Sequence, residues 1–176
     1  MFKTDKIHVI PQADYHLDLF IRPLKDKKVL VADDEMLGTG DYGILIDAGI
    51  PSKTIRAALK KENIPFETIC AIFVTHDHAD HIKSLGVISG KANIPVYATK
   101  EVHKGITHNY CTTKLIDPMY VRYVEKEEKI IFRDFEITPF EVPHDGSDNV
   151  GYFIEVGEKK FCIATDLGEI TEVVSS

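Results

Sequence analysis

Apolar runs of four to six residues alternate with amphipathic and charged stretches along the first two thirds of the chain. Residues 29–32 (VLVA) and 43–46 (GILI) are short apolar runs without polar alternation, the pattern of strands covered on both faces. In GIPSKTIRAALKKENIP, Ile55, Ala58 and Leu59 share one helical face, and Lys53, Lys60, Lys61 and Glu62 share the other. Pro51 and Ser52 suit the start of that helix, and Pro65 stops it. Residues 69–74 (ICAIFV) predict a fully buried strand, residues 79–91 a second helix, and residues 95–98 another short strand.

Beyond Pro118 the pattern changes. Residues 120–124, 129–132, 135–142, 150–156 and 160–164 read as strands, separated by charged or turn-forming links such as EKEE, RD and VGEKK. Mixed β and α units followed by a run of strands predict a layered domain of the α/β or α+β class. No internal repeat and no low-complexity linker interrupts it.

Composition narrows the picture. The chain has 176 residues, 44% hydrophobic and 28% charged, which suits one globular domain. Its formal net charge is −7, so no broad basic face is available to grip nucleic acid by counterion release alone. A local positive site made by bound cations is still compatible with that balance. No stretch of about 18 apolar residues is present and no apolar leader segment opens the chain, so neither a membrane span nor a secretory signal is expected. Cys70, Cys111 and Cys162 are widely spaced, odd in number and form no CxxC, which fits thiols in a reducing cytoplasm.

The candidate chemistry is concentrated in VTHDHADH, residues 74–81. Three histidines and two aspartates occupy six positions directly after the apolar run. His76 and His78 are two apart, so both imidazoles can turn toward one point, while Asp80 and His81 open the next helix and can turn toward a neighbouring one. Neutral imidazole and carboxylate are good ligands for zinc, iron and manganese. The plainer alternative is a solvated helix start, where Asp complements the helix dipole.

THDHADH matches the HxHxDH signature, and on that motif the chain resembles the metallo-β-lactamase superfamily. GILIDAGI is similar to the superfamily's early strand ending in an aspartate, here Asp47. PFEVPHDGSDNVGYFIEV resembles the strand and loop that supply a later histidine, here His144, and KKFCIATDLGEIT the strand ending in a bridging aspartate, here Asp166. Order and spacing most resemble the YycJ/VicX/WalJ-like branch, bacterial cytoplasmic metal-dependent hydrolases associated with DNA processing. The resemblance implies an αββα sandwich and two divalent metal ions, zinc or manganese with iron as a further option. It implies His76, His78 and His144 on one metal, Asp80 and His81 on the second, Asp166 bridging, and Asp47 orienting a ligand rather than binding metal. A water activated between the ions would be the nucleophile, with Asp80 the catalytic carboxylate. His103 and His108 are expected at the surface or on the substrate side.

Two features depart from the family pattern. The family continues past its TDxG strand and adds a late histidine, whereas this chain has no histidine after His144 and ends at Ser176. The resemblance therefore implies a partial sandwich, incomplete at the C-terminus, whose uncovered face favours a homo-oligomer or a partner chain. The expected organisation is an atypical N-terminal segment, 1–37, and a partial metallo-β-lactamase-like domain, 38–176. The N-terminal segment weakly resembles part of a guanidine-modifying deiminase through His16-Leu17-Asp18, although the nucleophilic cysteine of that family has no counterpart. The expected function is a metal-dependent phosphodiesterase or nuclease acting on nucleic acid. A thioesterase or lactonase on the same metal site, or an inactive metal-binding fragment, are the alternatives.

Overall fold

The computed structural model describes residues 43–61, 63–143, 145–157 and 160–165 in full, and the backbone of 21–24, 28–31, 35–38 and 159. His16, Asp18, His144 and Asp166 lie outside the described residues.

Among the described residues, eleven strands form two sheets. The first has the order β1 (Ile21–Leu24), β2 (Lys28–Val31), β3 (Glu35–Gly38), β4 (Gly43–Ile46), β5 (Ile69–Phe73), β6 (Val96–Ala98) and β7 (Val121–Tyr123). Its first four strands are antiparallel neighbours, and β4 to β7 are parallel. The second sheet is antiparallel throughout, in the order β11 (Lys159–Ile163), β10 (Val150–Val156), β9 (Phe135–Glu141) and β8 (Ile130–Phe132).

Side-chain alternation sorts the core into two layers. On β4, Ile44 and Ile46 face the second sheet, where they meet Phe135, Ile137, Tyr152 and Ile154, while Leu45 faces the helices. On β5 the alternation slips once. Gly43 pairs with Ile69 but Ile44 with Ala71, so Cys70 is an extra residue, and Cys70 and Ala71 both lie on the inter-sheet side. Phe73 stacks on Tyr97 at 4.6 Å between centroids and meets Tyr152 edge-on at 5.6 Å, joining the two sheets.

The other face of the first sheet is covered by α1 (Ser52–Lys61), α2 (Ala79–Ile82), α3 (Leu85–Ala92) and α4 (Lys100–His108). Helix α1 buries Ile55, Ala58 and Leu59, the stripe its periodicity predicts, and carries Lys60 and Lys61 in its last turn, where they complement the helix dipole. The single helix expected over 79–91 is two helices. The Ser84 amide, which an unbroken helix would donate to the Asp80 carbonyl, donates to the Ala48 carbonyl at 2.8 Å. The Asp80 carbonyl is itself packed on Gly49, where a Cβ would lie 1.3 Å from it. Helix α4 was not apparent in the pattern of EVHKGITHNY. Its cap is Thr99, which accepts from the Val102 amide, and Val102, His103 and Ile106 are its buried face.

Candidate metal centre

The carboxyl ends of the parallel strands carry the polar cluster, the usual place for a site in such a sheet. Asp47 directly follows β4 with φ of 60°, a left-handed conformation that an aspartate tolerates better than most residues. Its carboxylate is fully buried, so each lone pair needs a donor. The Thr75 amide donates to Oδ1 at 2.8 Å; the Thr75 hydroxyl and His81 Nδ1 donate to Oδ2 at 2.7 and 2.8 Å.

These bonds set the state of two imidazoles. With its proton on Asp47, the Thr75 hydroxyl can only accept from His76 Nδ1, 3.0 Å away. His81 Nδ1 is likewise a donor, to Asp47 itself. In the neutral ring both histidines then carry their lone pair on Nε2. Three imidazoles adjoin here: His76 and His81 have ring centroids 4.1 Å apart, and His76 and His78 4.6 Å. His76 and His81 are buried, at 2% and 4% exposure, and His78 is half-buried. The Asp80 side chain is 70% exposed and lies 3.8 Å from His81 Nε2. Imidazole nitrogens with preset tautomers and a nearby carboxylate fit a borderline divalent cation such as zinc. Among the described residues no group of three or more His, Cys, Asp or Glu side chains is arranged to hold a metal ion, and two further expected ligands, His144 and Asp166, lie outside those residues.

Asp77, between the two histidines, faces the other way. Its carboxylate accepts from the Ser147 amide at 3.1 Å and the Ser147 hydroxyl at 2.5 Å, and its carbonyl accepts from Asn109 Nδ2 at 2.9 Å. Its charge is therefore met by protein donors, which the sequence pattern alone did not show. The loop after β9 is held from a second direction by Lys126, whose ammonium lies 2.7 Å from Asp148 and 3.5 Å from Glu141. Below the cluster, the Tyr152 hydroxyl donates to the Val74 carbonyl at 2.6 Å and the Val150 amide to the Thr75 carbonyl at 3.0 Å, so the second sheet is fastened to the end of β5. Burial raises the Tyr152 hydroxyl well above its ordinary pKa, with the Asp47 and Asp148 charges adding to the rise, and keeps it a donor.

The two later histidines divide. His108 is exposed and bonds the Lys104 carbonyl in its own helix. His103, expected at the surface or substrate side, is instead buried. Its Nε2 bonds the Arg122 carbonyl at 3.0 Å, its ring meets Tyr123 edge-on, and burial lowers its pKa. It joins α4 to β7 because α4, unrecognised in the sequence, turns it inward. No disulfide joins Cys70, Cys111 and Cys162. Among the described residues no helix is long and apolar enough to cross a membrane.

Comparison with known proteins agrees with this architecture. The family described as "Beta-lactamase superfamily domain" matches residues 42–176. The chain is 28% identical over 144 residues to exodeoxyribonuclease YycJ of Bacillus anthracis, covering 77% of this chain and 50% of that protein. It is 29% identical over 136 residues to exodeoxyribonuclease WalJ of Streptococcus pneumoniae, with the same coverage. It thus spans about half the length of these curated relatives. Zn(2+)-bound PqqB from Methylobacterium extorquens superposes with a TM-score of 0.66 at 19% identity, over 80% of this chain and 55% of that one. A B3 metallo-beta-lactamase with an active-site glutamic acid gives 0.61 at 18% identity, over 76% and 53%. Two packed sheets, helices on the outer face of the first, and a family match over residues 42–176 lead to one conclusion: the chain belongs to the beta-lactamase superfamily and has the metallo-β-lactamase fold.

Proposed function

We propose that this chain is a metal-dependent hydrolase that cleaves phosphodiester bonds of nucleic acid. The observation that carries the metal part is the Asp47 hub, a buried carboxylate that leaves the lone pair on Nε2 of both His76 and His81. In this reading His76, His78 and His144 hold one divalent cation, zinc or manganese, with iron also compatible. Asp80 and His81 would hold a second, with Asp166 as a shared ligand. Such cations supply Lewis acidity toward a phosphoryl oxygen and lower the pKa of water. The protein's own part is to fix the imidazole tautomers and to offer Asp80, an exposed carboxylate, beside His81.

Nucleic acid as substrate class is supported by the two relatives named as exodeoxyribonucleases. It is also supported by Tyr110. This side chain is 96% exposed and follows Asn109, whose side chain donates to the Asp77 carbonyl, so an aromatic face suited to base stacking is offered to solvent next to a residue that touches the histidine loop.

The test loads the full chain with Zn²⁺ or Mn²⁺ and follows end-labelled linear DNA, with a thioester substrate run in parallel. DNA cleavage that is lost in His78→Ala and in Asp166→Asn is the expected result. Thioester hydrolysis without DNA cleavage would assign the site to the competing chemistry. Cleavage by either variant at the wild-type rate would overturn the ligand assignment.

A further inference from the structure

We propose that Asp77 is a positioning residue. It ties the loop that follows β9, and that contains His144, to the His76–His78 loop, and so sets how tightly the first cation is held. The proposal rests on the metal reading above.

In an extended segment, neighbouring side chains point to opposite sides. Asp77 therefore leaves the side taken by His76 and His78 and meets the loop after β9. Both of its oxygens are engaged by one residue there, Ser147 through its amide and its hydroxyl. Ser147 is three positions beyond His144 and 70 positions from Asp77, so this bond joins two distant segments that each carry a proposed ligand. A charged acceptor taking two donors from one residue gives a stronger and more directional link than neutral pairs do.

The surroundings are shaped around this link. A Cβ on Gly105 of α4 would lie 1.8 Å from Asp77 Oδ2 and 2.5 Å from the Ser147 hydroxyl, so the pair is seated directly on the helix backbone. Asn109, at the end of the same helix, holds the Asp77 carbonyl. On its far side the loop is held by Lys126 through Asp148. Helix α4 thus serves as the floor on which the two loops are joined. All of these contacts are between protein groups, so the link does not itself require a cation. Groups that hydrogen-bond metal ligands cost about 10- to 100-fold in metal affinity when removed, and Asp77, which holds a ligand-bearing segment through Ser147, is expected to act on that scale.

The experiment measures Zn²⁺ affinity by chelator competition in the full chain, for the wild type, Asp77→Ala, Ser147→Ala and the double variant. Amide hydrogen exchange at Ser147 is read in the metal-free proteins. Each single variant should lose about 10- to 100-fold in affinity. The double variant should be no worse than Asp77→Ala, and exchange at Ser147 should speed up without metal. Gly105→Ala, which displaces the pair without changing it, should shift affinity in the same direction. Wild-type affinity in Asp77→Ala, or losses that multiply in the double variant, would overturn the proposal while leaving the metal reading intact. A wild-type chain that takes up no Zn²⁺ or Mn²⁺ would overturn both.

Discussion

Asp47 and His81 are 34 residues apart, and the buried carboxylate of the first accepts the Nδ1 proton of the second at 2.8 Å. The same oxygen accepts the Thr75 hydroxyl, which in turn accepts from His76. One aspartate that is not itself expected on a metal therefore governs two imidazoles that are.

Asp47→Asn keeps the shape and tolerates the left-handed backbone, but it places an amide where an acceptor is required. Affinity for Zn²⁺ should drop about 10- to 100-fold while the circular dichroism spectrum is retained. Unchanged affinity would mean that the hub does not control the ligands.

Thr75→Val is close to isosteric and removes the hydroxyl link. It leaves the His76 Nδ1 proton without its acceptor and one Asp47 lone pair without a donor. A loss of about 1–3 kcal/mol in urea unfolding is expected. Thr75→Ser should restore most of it, and failure of the serine variant to do so would point to lost packing instead.

Gly49→Ala would put a methyl group where the Asp80 carbonyl now lies. The segment bearing Asp80 and His81 must then move off the end of β4. Destabilisation of about 1–3 kcal/mol or more is expected, together with weaker metal uptake. A urea midpoint equal to wild type would show that the two segments are not in this contact.

His103 makes the folded state sensitive to acid. Burial lowers its pKa from the ordinary 6.5, whereas the unfolded chain takes up the proton near 6.5. Below that pH the unfolded state binds more protons, so stability falls as pH drops toward the folded value. His103→Gln keeps a donor for the Arg122 carbonyl without titrating. The wild-type loss of stability between pH 7 and pH 5.5 should exceed that of the variant, read by urea midpoints across the series. Equal slopes would exclude His103 as a source.

Tyr110→Ala should leave the melting temperature unchanged, because the side chain is almost wholly in solvent. Binding of a short single-stranded DNA, followed by anisotropy, should weaken in line with a base–aromatic stack of about 1–3 kcal/mol. Tyr110→Trp should bind at least as well as wild type. Equal binding by the alanine variant would remove this residue from the substrate path.

Periodicity along the chain determined much of the layering. The face of α1 at Ile55, Ala58 and Leu59, the bounds of β10, and the unalternating run before the histidines all follow from which positions must leave water. The candidate donors His76, His78, Asp80 and His81 were also legible, because they sit together in one short stretch. Helix α4 was not, since Gly105 and its β-branched and histidine neighbours weaken the local helical signal, and its inward stripe is only two turns long. Nor was the break between α2 and α3, which depends on a carbonyl contributed by Ala48 from another segment.

What only the tertiary structure decided is which donor meets which acceptor. Asp47 reaches Thr75 and His81 across 28 and 34 positions, and Asp77 reaches Ser147 across 70. Burial preference is a property of each residue and repeats with the geometry of its own element, so it can be read locally. A hydrogen bond depends on the positions of two groups to within a few tenths of an ångström. For distant segments that precision exists only once both sheets and the helices above them are packed.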